Sequence, residues 1–315
     1  MKILVTGGAG FIGSHLSEKL RLDGHEVTVI DSISNFLYGA AEKFENMGRF
    51  DDLGIKFYKR DIATDPIDDL VEKQDVVINA AAIPGLVKSW DFINDYMQSN
   101  VIALGRLLGS CQRIGVGKVI QISTSSVYGM NAVGDETSIL KPYSPYGVSK
   151  LASENLCHAY SQNFHIPIVI LRYFSVYGPR QRPDMAYHKF INAILNEECI
   201  EIYGDGHQSR TNTYVSDIVN ATASCASTKT VEGETLNISG VESIKLLDVI
   251  GLLEKMIGKK AQLKFSPPRD GDQRETRGDI TKAERMINYK PSVDFESGLM
   301  KQVEWQAKKE SSKKF

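Results

Sequence analysis

The chain has 315 residues, 42% hydrophobic and 24% charged, enough apolar mass to bury a substantial core as one large domain or a domain with a lobe. A formal net charge of -2 sets up no global field that would draw nucleic acid or an anionic membrane, and the longest apolar runs, such as Ile168 to Leu171, fall far short of the roughly 20 residues that span a bilayer. Four cysteines without close pairing (Cys111, Cys157, Cys199, Cys225), six scattered histidines and no charged, apolar leader before the first strand lead us to expect reduced thiols, a cytoplasmic location and no metal site.

Short β-branched runs alternate with amphipathic stretches through the first half. Lys2 to Val5, Glu26 to Ile30, Lys56 to Tyr58, Val76 to Ile78 and Lys118 to Ile122 read as strands, with helical patterns between them. Strands joined by helical crossovers form a parallel sheet covered on both faces, so the predicted fold class is α/β, a doubly wound Rossmann-type sheet. A long helical stretch, Tyr146 to Asn163, leads to another strand at Ile168 to Leu171. Beyond it the turn-rich segments Gly178 to Met185, Gly204 to Gln208 and Ser266 to Gly271 predict a smaller C-terminal α/β lobe, interleaved with the sheet, with a boundary near Arg172. The apolar stripe Phe92, Tyr96, Met97, Leu107 and Leu108 reads as core, and the polar stretch from Lys308 to Phe315 as a frayed end.

Chemistry is concentrated in a few places. The first strand runs into Gly7-Gly8-Ala9-Gly10-Phe11-Ile12-Gly13 and then a helix. That spacing gives a tight turn at Gly7, close backbone approach to a pyrophosphate at Gly10, and tight helix-strand packing at Gly13. The second strand ends at Asp31, where a carboxylate suits an adenosine ribose and repels a 2'-phosphate, so NAD is expected over NADP; Ser32 and Asn35 follow it. Tyr146 and Lys150 stand four residues apart and share one helix face. A lysine charge, with the positive charge of a nicotinamide, would lower the phenol's pKa from roughly 10 toward working pH. The fifth strand runs into Ser123-Thr124-Ser125-Ser126.

Taken in order, these motifs resemble the extended short-chain dehydrogenase/reductases, in particular the NAD-dependent nucleotide-sugar epimerase/dehydratase branch. The resemblance implies that Asp61-Ile62 contact adenine, that Ala80, Ala81 and Ala82 after Asn79 line the cofactor, and that Asn100 occupies a recurrent asparagine position. It also implies that Thr124 hydrogen-bonds the reacting sugar oxygen, that Tyr146 moves its proton, and that Lys150 holds the nicotinamide ribose. Dehydratases of the branch carry Thr-Asp-Glu where this chain has Thr124-Ser125-Ser126, which disfavours ordinary 4,6-elimination. Inversion at C4 through a 4-keto sugar requires only the tyrosine, the threonine and NAD.

The segment Arg172 to Ala186 looks like that of UDP-glucuronate 4-epimerases, in which Ser175 and Arg182 would lie near the sugar carboxylate or diphosphate, together with Ser125 and Ser126. The same resemblance places Tyr173, Tyr203, Arg210, Arg269 and the loop residues Pro84 and Lys88 against a UDP-sugar, and implies a homodimer. Val87 stands where those enzymes usually have arginine, and Thr211-Asn212 replaces the more usual Asp-Phe, so UDP-glucose and UDP-N-acetylglucosamine stay open as substrates. Elimination between C5 and C6, decarboxylation of a UDP-uronate, and a non-catalytic NAD-sensing role also stay open.

Overall fold

The computed structural model describes residues 1–312. Its centre is a seven-stranded parallel sheet. In chain order it uses β1 (Lys2–Thr6), β2 (Glu26–Asp31), β3 (Lys56–Lys59), β4 (Val76–Asn79) and β5 (Lys118–Thr124). After β6 (Asn131–Gly134), which lies elsewhere, come β7 (Ile168–Tyr173) and a last strand, Thr235–Ile238. The spatial order is Thr235–Ile238, β7, β5, β4, β1, β2, β3. Every strand named from the sequence is present and one or two residues longer than its apolar run, because the polar residue ending each run still pairs with its neighbour. Thr6, Asn79 and Gln121, for instance, stand in register across β1, β4 and β5.

Alternation along each strand divides the core between two faces. Ile3, Val5, Ile78, Ile120, Val169 and Leu171 point into one layer, and Leu4, Val77, Val119, Ile168 and Ile170 into the other. Both faces are covered by helices, as a parallel sheet requires. Within the apolar stripe, Tyr96, Leu107 and Leu108 are fully buried, whereas Phe92 is 43% exposed. The stripe is not one regular helix: Ile93–Met97 and Ala103–Ile114 are joined by a π-turn over Gln98–Ile102, which rotates the face that each part presents.

The lobe contains a four-stranded sheet ordered Ser243–Lys245, Ser209–Thr211, Glu275–Gly278, β6, and two small two-stranded sheets. Two strands cross the line near Arg172: β6 leaves the first half to pair with Glu275–Gly278, and Thr235–Ile238 leaves the second half to pair with β7. The C-terminal stretch departs from expectation. Phe295–Ser312 is a helix, the Ser311 and Ser312 hydroxyls donate to backbone carbonyls one turn back, and Lys309 pairs with Glu45. Residues 313–315 lie outside the described residues. Among the described residues, no helix is long and apolar enough to cross a membrane.

Candidate active site

A cleft of about 720 Å³ opens over the C-terminal ends of β1, β2, β4, β5 and β7, where a doubly wound sheet places its ligands. On one wall the Gly7 amide donates to the Ile30 carbonyl at 2.8 Å and the Gly10 amide to the Gly7 carbonyl at 3.1 Å, so the chain turns back into the helix Phe11–Leu22. Gly7 has φ +69°, and a Cβ there would stand 2.7 Å from the Ala81 backbone; a Cβ on Gly13 would stand 2.2 Å from the Gly7 carbonyl oxygen. Gly7, Gly10, Phe11, Ile12 and Gly13 all line the cleft, as do Asp31, Ser32, Asp61, Ile62, Ala80, Ala81 and Ala82. Asp31 accepts the Ala9 and Ile33 amides at 3.2 and 2.8 Å, with Lys43 Nζ 3.3 Å away, so the carboxylate also pins the glycine loop.

Beneath this wall the strand ends are joined by side chains. The Thr6 hydroxyl donates to Asn79 Oδ1 at 2.5 Å, and Asn79 Nδ2 donates to Gln121 Oε1 at 2.8 Å. Two residues expected in the cofactor wall stand outside the cleft lining. Asn35 is exposed on the loop after β2, where Ser34, Phe36, Leu37 and Tyr38 take up the surface. Asn100, placed by the π-turn, is buried behind it; it accepts the Ile83 amide at 2.8 Å and donates to the Ile83 carbonyl and Ser149 hydroxyl at 3.0 Å each. Asn100 braces the loop after β4. Tyr96 continues the brace by donating to the Pro84 and Gly85 carbonyls, and its ring meets that of Tyr146 edge to face at 6.1 Å.

Facing the glycine wall, Thr124, Tyr146 and Lys150 meet. The helix Pro145–Phe164 is started by Ser144, whose hydroxyl accepts the Gly147 amide at 3.1 Å, with Pro145 at its first position. This cap puts Tyr146 in the first turn, over the end of β5. Thr124 hydrogen-bonds Tyr146, and its Oγ1 also accepts the Ser126 amide at 3.2 Å. Lys150 Nζ donates to the Ile122 carbonyl at 2.6 Å.

Burial raises the Tyr146 pKa, with Thr124 and Arg182 working against it; the lowering expected from the sequence counted a nicotinamide's charge along with the lysine's. Burial also pushes Lys150 down, to about 8. Without the added positive charge of a bound nicotinamide, the phenol keeps its proton.

The sugar side is made of side chains. Ser125, Ser126, Ser175, Arg182 and Arg210 line it, with Pro84 and Val87 from the braced loop. Arg182 is forked onto Asp184 at 2.9 Å through Nε and Nη2, and its charge acts on both Tyr38 and Tyr146. Arg210 donates to the Ser209 and Gln273 carbonyls, with Asp272 nearby. Asn212 Nδ2 donates back to the Arg210 carbonyl at 2.9 Å, so the Thr211-Asn212 pair is accommodated.

Three predicted substrate residues are absent from the cleft lining, and a fourth turns its polar atom away. Lys88 is exposed beyond Val87. Tyr203 carries Arg269 over its ring at 3.2 Å, and neither lines the cleft. Tyr173 lines the cleft, but its hydroxyl is hydrogen-bonded to Thr222 in the core. Phe36, Tyr38, Lys43, Arg60, Asp184 and Asp272 line the cleft in addition to the expected residues. Of these only Asp184 carries a legible signal, two residues from Arg182 on the same loop. Tyr214 packs on Tyr177 and Asp217 accepts from Ser292, both in structural roles.

A glycine-built nucleotide wall opposite a Thr/Tyr/Lys set defines an NAD-dependent short-chain dehydrogenase/reductase. Residues 3–239 match the family described as "NAD dependent epimerase/dehydratase family". A Bacillus subtilis protein named an uncharacterized UDP-glucose epimerase, YtcB, is 43% identical over 307 residues, covering 96% of this chain and 97% of its own. A UDP-glucuronate 4-epimerase of Thermodesulfobacterium geofontis is 34% identical over 309 residues, covering 96% and 95%. The crystal structure of Bacillus cereus UDP-glucuronic acid 4-epimerase with UDP-glucuronic acid and NAD superposes with a TM-score of 0.94 at 42% identity, over 98% of this chain and 99% of that one. The chain belongs to the NAD dependent epimerase/dehydratase family, and NAD is its cofactor. The cleft fits that cofactor: Gly7 and Gly13 let the turn close tightly against Ala81 and the start of the helix, Gly10 leaves the backbone bare on the cleft lining where a pyrophosphate must approach, and Asp31 and Lys150 both line the same cleft.

Proposed function

We infer that this chain is an NAD-dependent UDP-sugar 4-epimerase and that its sugar is glucuronate. The observation that carries the choice of sugar is Arg182, a guanidinium that lines the cleft within charge reach of Tyr146 and is oriented by Asp184 through Nε and Nη2. Hydroxyls at Ser125, Ser126 and Ser175 surround the same space, and neutral donors suit a sugar carboxylate because they add no negative charge beside it.

Bound NAD supplies a hydride acceptor that returns what it takes. The protein moves the proton. Once the charge of bound NAD has favoured the phenolate, Tyr146 takes the proton of the sugar O4 while the C4 hydride leaves, with Thr124 hydrogen-bonded to the phenol oxygen to fix its direction. The 4-keto sugar turns in the cleft, presents its other face, and receives the proton back from Tyr146. Lys150, anchored on Ile122 one helical turn from Tyr146, would donate to the nicotinamide ribose when NAD is bound. The two hydroxyls after Thr124 offer no acid for a leaving hydroxyl, which separates this site from ordinary dehydration.

We further propose that the residues beyond 172 supply most of the sugar and nucleotide recognition, and that the protein works as a cytoplasmic homodimer. Phe92, Ile93 and Ile102 are exposed on the segment before and through the π-turn, as are Val148 and Phe164 on the helix beside it, an apolar surface of the kind that a second copy covers. Sedimentation tests the assembly, and cell fractionation tests the compartment. For the reaction, purified protein is incubated separately with UDP-glucuronate, UDP-glucose and UDP-N-acetylglucosamine and followed by proton NMR and mass spectrometry. A C4 isomer of unchanged mass from UDP-glucuronate is the expected product. Loss of water or carbon dioxide would replace epimerisation with elimination or decarboxylation, and turnover of another sugar alone would overturn the choice of uronate.

A further inference from the structure

We propose that Glu154 is a positioning residue for the reaction, holding the end of β5 that carries Thr124 in register with the helix that carries Tyr146 and Lys150. Glu154 lies one helical turn beyond Lys150, is 1% exposed, and does not line the cleft. Its Oε1 accepts the Ser123 hydroxyl at 2.5 Å, and Ser123 immediately precedes Thr124. Lys150 is anchored on Ile122, one residue earlier. Two successive residues of the strand thus fasten two successive turns of the helix.

The carboxylate is itself held from the other side. Arg172, opposite Ser123 in the β5 and β7 register, donates from Nε at 3.0 Å to Oε1 and from Nη2 at 2.7 Å to Oε2. Nη1 of the same guanidinium reaches the Tyr128 hydroxyl at 2.8 Å and the Glu136 carbonyl at 3.3 Å. Tyr128 closes the short turn that carries Ser125 and Ser126, and passes its own proton to Asn237 Oδ1 at 2.7 Å. One buried carboxylate is therefore the meeting point of the strand end, the catalytic helix and, through Arg172, the hydroxyl-bearing turn. A shift of about 1 Å among such elements is enough to cost roughly a hundredfold in rate.

Charge adds a second consequence. The titratable and charged groups around this point are Tyr146, Lys150 and Cys157 on the helix, Arg172 on β7, Tyr128 on the turn, and Glu136 beyond it. Glu154, ahead of Cys157, favours the buried ammonium of Lys150 against desolvation. With glutamine at that position, the uncompensated Arg172 charge also pushes the lysine toward its neutral form.

The proposal rests on Thr124, Tyr146 and Lys150 being the reacting set, so the wild-type enzyme is first shown to turn over a UDP-sugar; absence of that turnover strikes the functional reading and not this one. E154Q, S123A and E154Q/R172M are then compared by kcat, KM and the pH profile of kcat. In E154Q we expect kcat to fall about tenfold or more with KM changed less than about threefold, and the alkaline limb to move to lower pH. S123A should lose kcat without moving that limb, since it keeps the ion pair. Folded E154Q with wild-type kcat and an unmoved alkaline limb overturns the proposal. Should E154Q fail to fold, the double variant decides on the same fall in kcat, and should that also fail, S123A decides: wild-type kcat overturns, and a fall at constant KM supports.

Discussion

The two walls of the cleft are made of different material. The cofactor wall is mostly backbone: amides of the glycine loop, carbonyls at strand ends, and alanines whose side chains do little more than leave room. The sugar wall is side chain: hydroxyls from the turn after β5, one guanidinium after β7 and another from the lobe sheet, each held by a partner of its own. A wall of backbone is fixed by where a Cβ cannot go, whereas a wall of side chains can change its ligand without changing its fold. Between them stand Thr124, Tyr146 and Lys150.

The largest effect is expected there. Tyr146→Phe should lower turnover roughly a thousandfold, about 4 kcal/mol, while NAD titration is unaltered. Turnover within tenfold of wild type would remove the phenol from proton transfer, and lost NAD binding would mean that the two walls are not separable. On the backbone wall, Gly13→Ala forces a methyl to 2.2 Å from the Gly7 carbonyl oxygen and 2.8 Å from Gly8 Cα. It should cost about 3 kcal/mol of stability and most of the NAD affinity, read by thermal unfolding with and without cofactor.

On the side-chain wall, Arg182→Lys keeps the charge but loses the fork onto Asp184. Its kcat/KM for UDP-glucuronate should fall tenfold to a hundredfold, roughly 2 kcal/mol, with unfolding little changed. An equal fall for UDP-glucose would show that the arginine does not read a carboxylate. The smallest effect has the opposite sign. Lys150 has its folded pKa near 8, below its ordinary 10.5, so its buried charge destabilises the fold fully below pH 8, by roughly 3 kcal/mol, and the penalty fades as pH rises toward 10.5. Lys150→Met should therefore raise stability at pH 7 by about 1 kcal/mol, after the Ile122 carbonyl loses its donor. The gain should shrink above pH 8; a gain constant with pH would mean that it comes from packing alone.

The same contrast decides how much of the site is legible in the sequence. Gly7, Gly10, Gly13 and Asp31 are legible because a backbone turn and one carboxylate at a strand end impose spacing on the sequence. Tyr146, Lys150 and Thr124 are legible because a helix and a strand end bring them together at fixed intervals. On the other side Pro84, Ser125, Ser126, Ser175, Arg182 and Arg210 are legible through family resemblance and line the cleft, but no spacing rule fixes them. Nothing in the spacing says that Lys88 turns outward where Val87 turns in, or that Tyr203 and Arg269 satisfy each other by stacking. Asn100 is legible by residue type but not by place, since the π-turn that sets it behind the loop is a tertiary accommodation with no periodic signature. Tyr38 and Lys43 carry no local signal because the loop after β2 and the short helix Ala40–Asn46 that follows it reach back over the cofactor wall, and only the fold shows where they land.

The crossing strands bear on how the chain comes off the ribosome. When residue 172 has emerged, β7 has a partner in β5 on one side and a bare edge on the other, and that edge waits until Thr235–Ile238 is made. β6 likewise waits for Glu275–Gly278, synthesised more than a hundred residues later. A nascent or truncated chain ending near the middle would display two open strand edges, the form most prone to pairing with a neighbour, so this enzyme should be sensitive to stalled translation and resistant to being split in two.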